Sequence, residues 1–98
     1  MEIIKNKNAS QLTVSLIGRL DTTSAPQLEE ELFSSLEGVE ELVFDLSELP
    51  YTSSAGLRVF LKAQKQMNAQ GKMRIIGADE DIKEIFEITG LNSVIDIE

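Results

Sequence analysis

Cysteine and histidine are both missing from this 98-residue chain, and each absence removes a family of chemistries. Without cysteine there is no disulfide, no thiolate nucleophile and no Cys-ligated zinc or iron–sulfur cluster. Without histidine there is no Ser-His-Asp or Cys-His machinery, no His-liganded metal and no imidazole titrating near neutral pH. Positive charge is also scarce. The chain has 9 Lys and Arg against 17 Asp and Glu, a formal net charge of −8. That sign repels phosphodiester backbones and anionic membrane surfaces, so no nucleic-acid partner is expected. No apolar run approaches the ~20 residues that a membrane span needs. The opening MEIIKNKNAS has no signal-peptide apolar region, so the expected location is cytoplasmic, with no direct membrane insertion. Phosphate-cradling loops are lacking too. Gly71-Lys72 resembles the tail of a P-loop, but Met73 stands where Ser or Thr belongs and Gln66 where the leading glycine belongs. Asp79 and Asp81 offer a hard cation too few oxygen ligands. No catalytic residue, no metal site and no cofactor are expected, and enzyme activity is the weakest of the possible functions.

What the chain does contain is enough for one cooperative domain over residues 1–98, since 42% hydrophobic residues supply a core without staples. Ile3-Ile4, a polar loop and then Leu12-Thr13-Val14-Ser15-Leu16-Ile17 read as a hairpin of two strands that Gly18 ends. Leu12, Val14 and Leu16 share one face of the second strand, while Thr13, Ser15 and Ile17 share the other. A first helix is expected from Ser24, with a Ser24/Gln27 capping box, Pro26 in the first turn and Glu29, Glu30 and Glu31 toward the positive end of the dipole. Its apolar stripe is Leu28, Leu32 and Leu36, and Gly38 is its left-handed stop.

Leu42 to Leu46 reads as a central strand, followed by a Ser47–Ser53 connection that contains Pro50. Ser54 caps a second helix with Leu57, Phe60, Leu61, Ala63 and Met67 inward, closed by Gly71. Met73–Ile76 is a strand, Asp79–Thr89 a helix with acids at its start and Gly90 at its end, and Val94–Ile97 a last short strand. The fold class is therefore α/β, with a mostly parallel, four- to five-stranded mixed sheet. Right-handed crossovers between sequential neighbours put the helices mainly on one face, leaving Thr13, Ser15 and Asp45 on the barer one.

The segment Asp45 to Leu61 carries the most functional information, because it joins the carboxyl end of a central strand to a helix, where open α/β sheets meet ligands and partners. Thr52, Ser53 and Ser54 stand there ahead of Ala55 and Gly56. A phosphate on such a hydroxyl adds about −1.5 to −2 charges beside a helix start without unfolding the domain. Local physics also allows Ser54 to be only a cap, Ala55 and Gly56 only to permit close packing, and Asp21 to be a turn residue.

Gly18-Arg19-Leu20-Asp21, Asp45-Leu46-Ser47, Tyr51-Thr52-Ser53-Ser54-Ala55-Gly56-Leu57 and Phe86-Glu87-Ile88-Thr89-Gly90-Leu91, taken in that order, resemble the STAS family, the anti-sigma factor antagonists. The resemblance spans essentially the whole chain. It implies a βα superhelix and a partner-switching module. The unphosphorylated form would bind an anti-sigma factor that is also a serine kinase, that kinase would phosphorylate Ser54 and break the complex, and a serine phosphatase would restore it. Asp21, Thr52, Ser53, Ser54, Gly56 and Leu57 are the implied partner-binding residues. Ser53 stands where aspartate is common in the sporulation-type proteins, and is a secondary candidate acceptor. Ala55 stands where Ser or Thr is frequent. Alternatives within the same resemblance are a subunit docked on a lipid-type ABC transporter and a small-molecule or nucleotide sensor.

Overall fold

A computed structural model describes all residues 1–98. Its elements are β1 (Glu2–Asn8), β2 (Gln11–Leu20), α1 (Ala25–Phe33), β3 (Glu41–Thr52), α2 (Ser54–Gln70), β4 (Lys72–Ile76), α3 (Glu80–Thr89), a 3-10 turn (Leu91–Ser93) and β5 (Asp96–Ile97). The five strands lie in sequence order. β1 runs antiparallel to β2, and β2 through β5 are parallel. Each parallel crossover joins neighbours, which sends α1, α2 and α3 to a common side. The alternation of burial agrees. Leu12, Val14, Leu16, Leu42, Phe44 and Leu46 are each at most 2% exposed, whereas Thr13, Ser15 and Asp45 on the opposite rows are half-exposed. Val43 departs from this pattern, being buried on the barer face between its register neighbours Thr13 and Arg74.

The core is centred on Phe60 of α2. Its ring meets Phe44 of β3 edge-on at 5.0 Å between centroids and Phe86 of α3 at 5.9 Å. The strand, the middle helix and the last helix are thereby locked through three aromatic rings. Leu28 and Leu32 close the α1 side, as their four-residue spacing requires.

Several local expectations are corrected. β2 does not stop at Gly18, which lies inside the strand at φ +108°. The polar stretch after Ile4 is mostly strand, and the hairpin turns on Ala9 and Ser10, with Ala9 at φ +56°. The α1 helix ends at Phe33, so Leu36 and Gly38 belong to the following turns. Glu29 to Glu31 fall after its first turn, which contains no acid. Ser24 forms no capping box, because its hydroxyl points back to the Arg19 carbonyl and Gln27 bonds Glu31 instead. Leu61 is half-buried, while Val59 and Gln64 take buried positions on α2.

The largest correction bears on the site. β3 continues through Pro50 to Thr52, past Asp45 where its pairing with β4 ends. Two register shifts against β2 absorb extra β3 residues: Ser15 pairs with Asp45, Ile17 with Glu48 and Arg19 with Tyr51. A proline is tolerated there because the strand has become irregular and pairs on one side only.

Candidate functional site

The extended β3 carries its chain to the carboxyl end of β2, where two strand-to-helix turns lie side by side. The Ser53 N–H donates to the Leu20 carbonyl at 2.8 Å, tying the start of α2 to the end of β2. Thr52, 4% exposed, turns its hydroxyl inward and donates to the Ser53 carbonyl at 3.2 Å. Gly56 is required by space. A Cβ placed on it would lie 2.4 Å from Thr52 Oγ1 and 2.6 Å from Leu20 Cγ. Backbone and buried side chains thus press the first turn of α2 against the end of β2.

The helix starts one residue earlier than the sequence suggests. Ser53, extended at φ −95° and ψ 175°, is the capping position, and Ser54 is the first helical residue. Neither serine makes a side-chain cap. Ser53 Oγ is buried with no hydrogen-bond partner, while Ser54 is exposed. The hydroxyls that the sequence sets next to one another therefore differ in chemistry: one is enclosed, and one stands in solvent on a rigid support. Gly56 and Leu57 are buried, so with Thr52 they shape the turn from beneath rather than forming its outer surface.

The neighbouring turn is fastened by Asp21. Its Oδ1 accepts from the N–H groups of Thr23 and Ser24, both at 3.0 Å, and the Ser24 hydroxyl accepts from the Asp21 N–H at 2.9 Å. The Ser24 backbone N–H is the main reason that the Asp21 carboxyl sits below its ordinary range. Partial desolvation opposes this, and the Thr23 N–H, the Ser24 hydroxyl and Arg19 add to the lowering. Asp21 thus remains ionised and fixed, half-exposed beside the serine turn.

Arg19 and Tyr51 lie in the sequence motifs but not among the expected partner-binding residues, and the sequence gives no sign of their stacking, with the guanidinium carbon 4.2 Å from the ring centroid. The β2–β3 register shifts create that pairing, and no sequence signal marks them. A groove of about 270 Å³ between the first turns of α1 and α2 is lined in part by Thr22, Ala25, Pro26, Ala55 and Arg58. No group of three or more acidic side chains converges in a way that could hold a metal ion. No helix is long and apolar enough to cross a membrane. The arrangement can present a hydroxyl, a fixed carboxylate and a stacked Arg–Tyr pair to another surface.

Known proteins resemble this chain over nearly its whole length. The family described as STAS domain matches residues 1–98. The anti-sigma-B factor antagonist of Listeria monocytogenes is 33% identical over 97 residues, covering 96% of this chain and 84% of the relative. Among solved structures, an anti-sigma factor antagonist from Mycobacterium paratuberculosis superposes with a TM-score of 0.89 at 20% identity, covering 98% of this chain and 83% of that one. The Bacillus cell fate determinant SpoIIAA in its phosphorylated form gives a TM-score of 0.78 at 15% identity over 99% of this chain and 91% of its own. At those identities the two structures establish the fold alone.

Proposed function

We propose, from the premise that this chain belongs to the STAS domain family, that it acts as an anti-sigma factor antagonist switched by phosphorylation of Ser54. The unphosphorylated protein binds an anti-sigma factor with serine kinase activity and so releases a sigma factor. The kinase transfers a phosphoryl group from ATP to the Ser54 oxygen, the complex breaks, and a serine phosphatase returns the protein to its binding form. Asp21, Thr52, Ser53, Ser54, Gly56 and Leu57 serve the contact at different depths. Ser54 and Asp21 face the partner, and the buried Thr52, Gly56 and Leu57 hold the turn in shape.

The observation that carries this reading is the exposure of Ser54 on a support that cannot collapse, with Gly56 against Leu20 and Thr52 beneath it. A phosphate placed there changes the charge of the outer surface and leaves the core untouched. Ser53, its oxygen enclosed, is the poorer acceptor. The groups that the site presents, an exposed hydroxyl, a carboxylate tied down by backbone N–H groups and an Arg–Tyr stack, form a contact surface, which favours a binding role. Co-purification from the native host, followed by intact-mass measurement of the free and bound protein, tests the proposal. The expected result is an anti-sigma kinase bound to the unmodified form and a single phosphate on the released form. Recovery with transporter permeases, or a protein that never carries phosphate, would overturn it.

A further inference from the structure

The charge on α2 is all of one sign and opposite to that of α1, whose only charged residues are Glu29, Glu30 and Glu31. The 17 residues of α2, SAGLRVFLKAQKQMNAQ, include Arg58, Lys62 and Lys65 and no acid, in a chain whose net charge is −8. The buried positions Gly56, Val59, Phe60, Ala63 and Met67 define the inward face. Spacings of four, three, one and three residues from Ser54 then place Ser54, Arg58, Leu61, Lys62 and Lys65 on the outward face. Lys62 is held by Glu29 across the α1–α2 contact. Arg58 pairs with no carboxylate and is exposed one turn from Ser54.

Side chains at i and i+4 of a helix are neighbours, with Cβ atoms about 5–6 Å apart. A guanidinium with a free fork of N–H donors is matched to phosphate geometry more closely than any other side chain. We infer that Arg58 receives the phosphoryl group on Ser54, so that the modification is read first within the protein, by its own second helical turn. This rests on the reading of Ser54 as acceptor and adds the residue through which the charge acts. Before modification the outward face of α2 carries three positive charges and an available guanidinium. Afterwards the phosphate, about −1.5 to −2 charges at neutral pH, occupies that guanidinium and leaves the face with roughly one net positive charge. The partner therefore meets a face that has lost both charge and a donor fork, not merely one with a bulkier residue at position 54.

The test is made on the full chain carrying phosphoserine at position 54, introduced by genetic encoding so that no kinase is involved. The second ionisation of the phosphate is followed by ³¹P NMR as pH is varied. Pairing with Arg58 favours the dianion, so the midpoint in the otherwise native protein should lie about half a pH unit below that in Arg58→Gln. Lys62→Gln, one turn further along the helix and already engaged with Glu29, should move it by less than half as much. Both substituted residues are exposed, and thermal melts check that the variants stay folded. Equal midpoints in the native and Arg58→Gln proteins would overturn the inference, as would a Lys62→Gln shift as large as that of Arg58→Gln. If the protein is never phosphorylated in its host, the switch proposal fails, while this titration still decides whether Arg58 engages a phosphate at position 54.

Discussion

Replacing Gly56 by alanine sets two physical effects against each other. In an exposed helix interior, alanine is about 1 kcal/mol more favourable than glycine, so the helix alone would gain. At this position the added Cβ would lie 2.4 Å from Thr52 Oγ1 and 2.6 and 2.7 Å from two carbons of Leu20, all closer than real Cβ contacts come. Thr52 and Leu20 are 4% and 0% exposed, so neither can swing away into solvent. Overpacking of this kind costs about 1–3 kcal/mol. Because the Cβ would meet two buried side chains at once, the cost lies toward the upper end, and the net loss after the helix gain is about 1–2 kcal/mol, or a fall in Tm of roughly 4–15 °C for a domain of this size. Urea unfolding read by circular dichroism measures the stability directly. Leu20→Ala, which removes the clashing carbons, should cost about 2–5 kcal/mol alone. Combined with Gly56→Ala it should cost less than the sum of the two, the mark of a relieved clash. A Gly56→Ala protein as stable as the native one, or strictly additive changes in the pair, would refute the packing argument.

Ser54→Ala should leave stability within about 0.5 kcal/mol of native, because Ser54 makes no cap, and should abolish phosphate incorporation in an ATP incubation with the kinase. Ser53→Ala should be neutral or stabilising by up to about 1 kcal/mol in thermal melts, opposite in sign to the usual loss of a capping serine, since the Ser53 hydroxyl is enclosed without a partner. The Asp21 carboxyl is held below its ordinary pKa of 3.8. Its stabilising contribution is therefore complete above about pH 4 and is lost as pH falls through the lower folded value, and the stability difference between native protein and Asp21→Asn, measured by urea unfolding, should shrink over that acid range. Ala9→Gly should raise stability by about 0.5–1 kcal/mol in the same assay, because Ala9 turns the hairpin at φ +56°.

The fold was legible wherever a hydrophobic period ran undisturbed. Leu12, Val14 and Leu16 alternate as a half-buried strand must, Leu28 and Leu32 repeat as a helix stripe must, and Asp79 with Gly90 bounds α3 as written, its carboxylate accepting from the Ile82 N–H at 2.9 Å. Strand order and the shared side of the helices follow from sequential crossovers. The local punctuation was harder to read, because the same residue serves different geometries. Gly18 looks like a strand end but supplies a positive φ inside β2, and Pro50 looks like a loop but sits in a strand paired on one side. At the site, the hydroxyls, the glycine and Asp21 were all visible in sequence. Which serine is enclosed was not, since that depends on where β3 stops, and β3 is lengthened by register shifts that leave no compositional trace. The three cations of α2 stand in the sequence at helical spacing with nothing there to single them out; they acquire meaning once Ser54 is seen on the same face, with Lys62 taken up by Glu29 and Arg58 left unpaired.

On the proposed function, a phosphate on Ser54 separates this protein from an anti-sigma factor partner. Calorimetric titration of that partner with the native protein, with Ser54→Ala and with the protein carrying phosphoserine at position 54 measures it most directly. The first two should bind with nearly equal affinity and the third about tenfold or more weakly. Equal affinity for all three would mean that phosphate on Ser54 is not the switch.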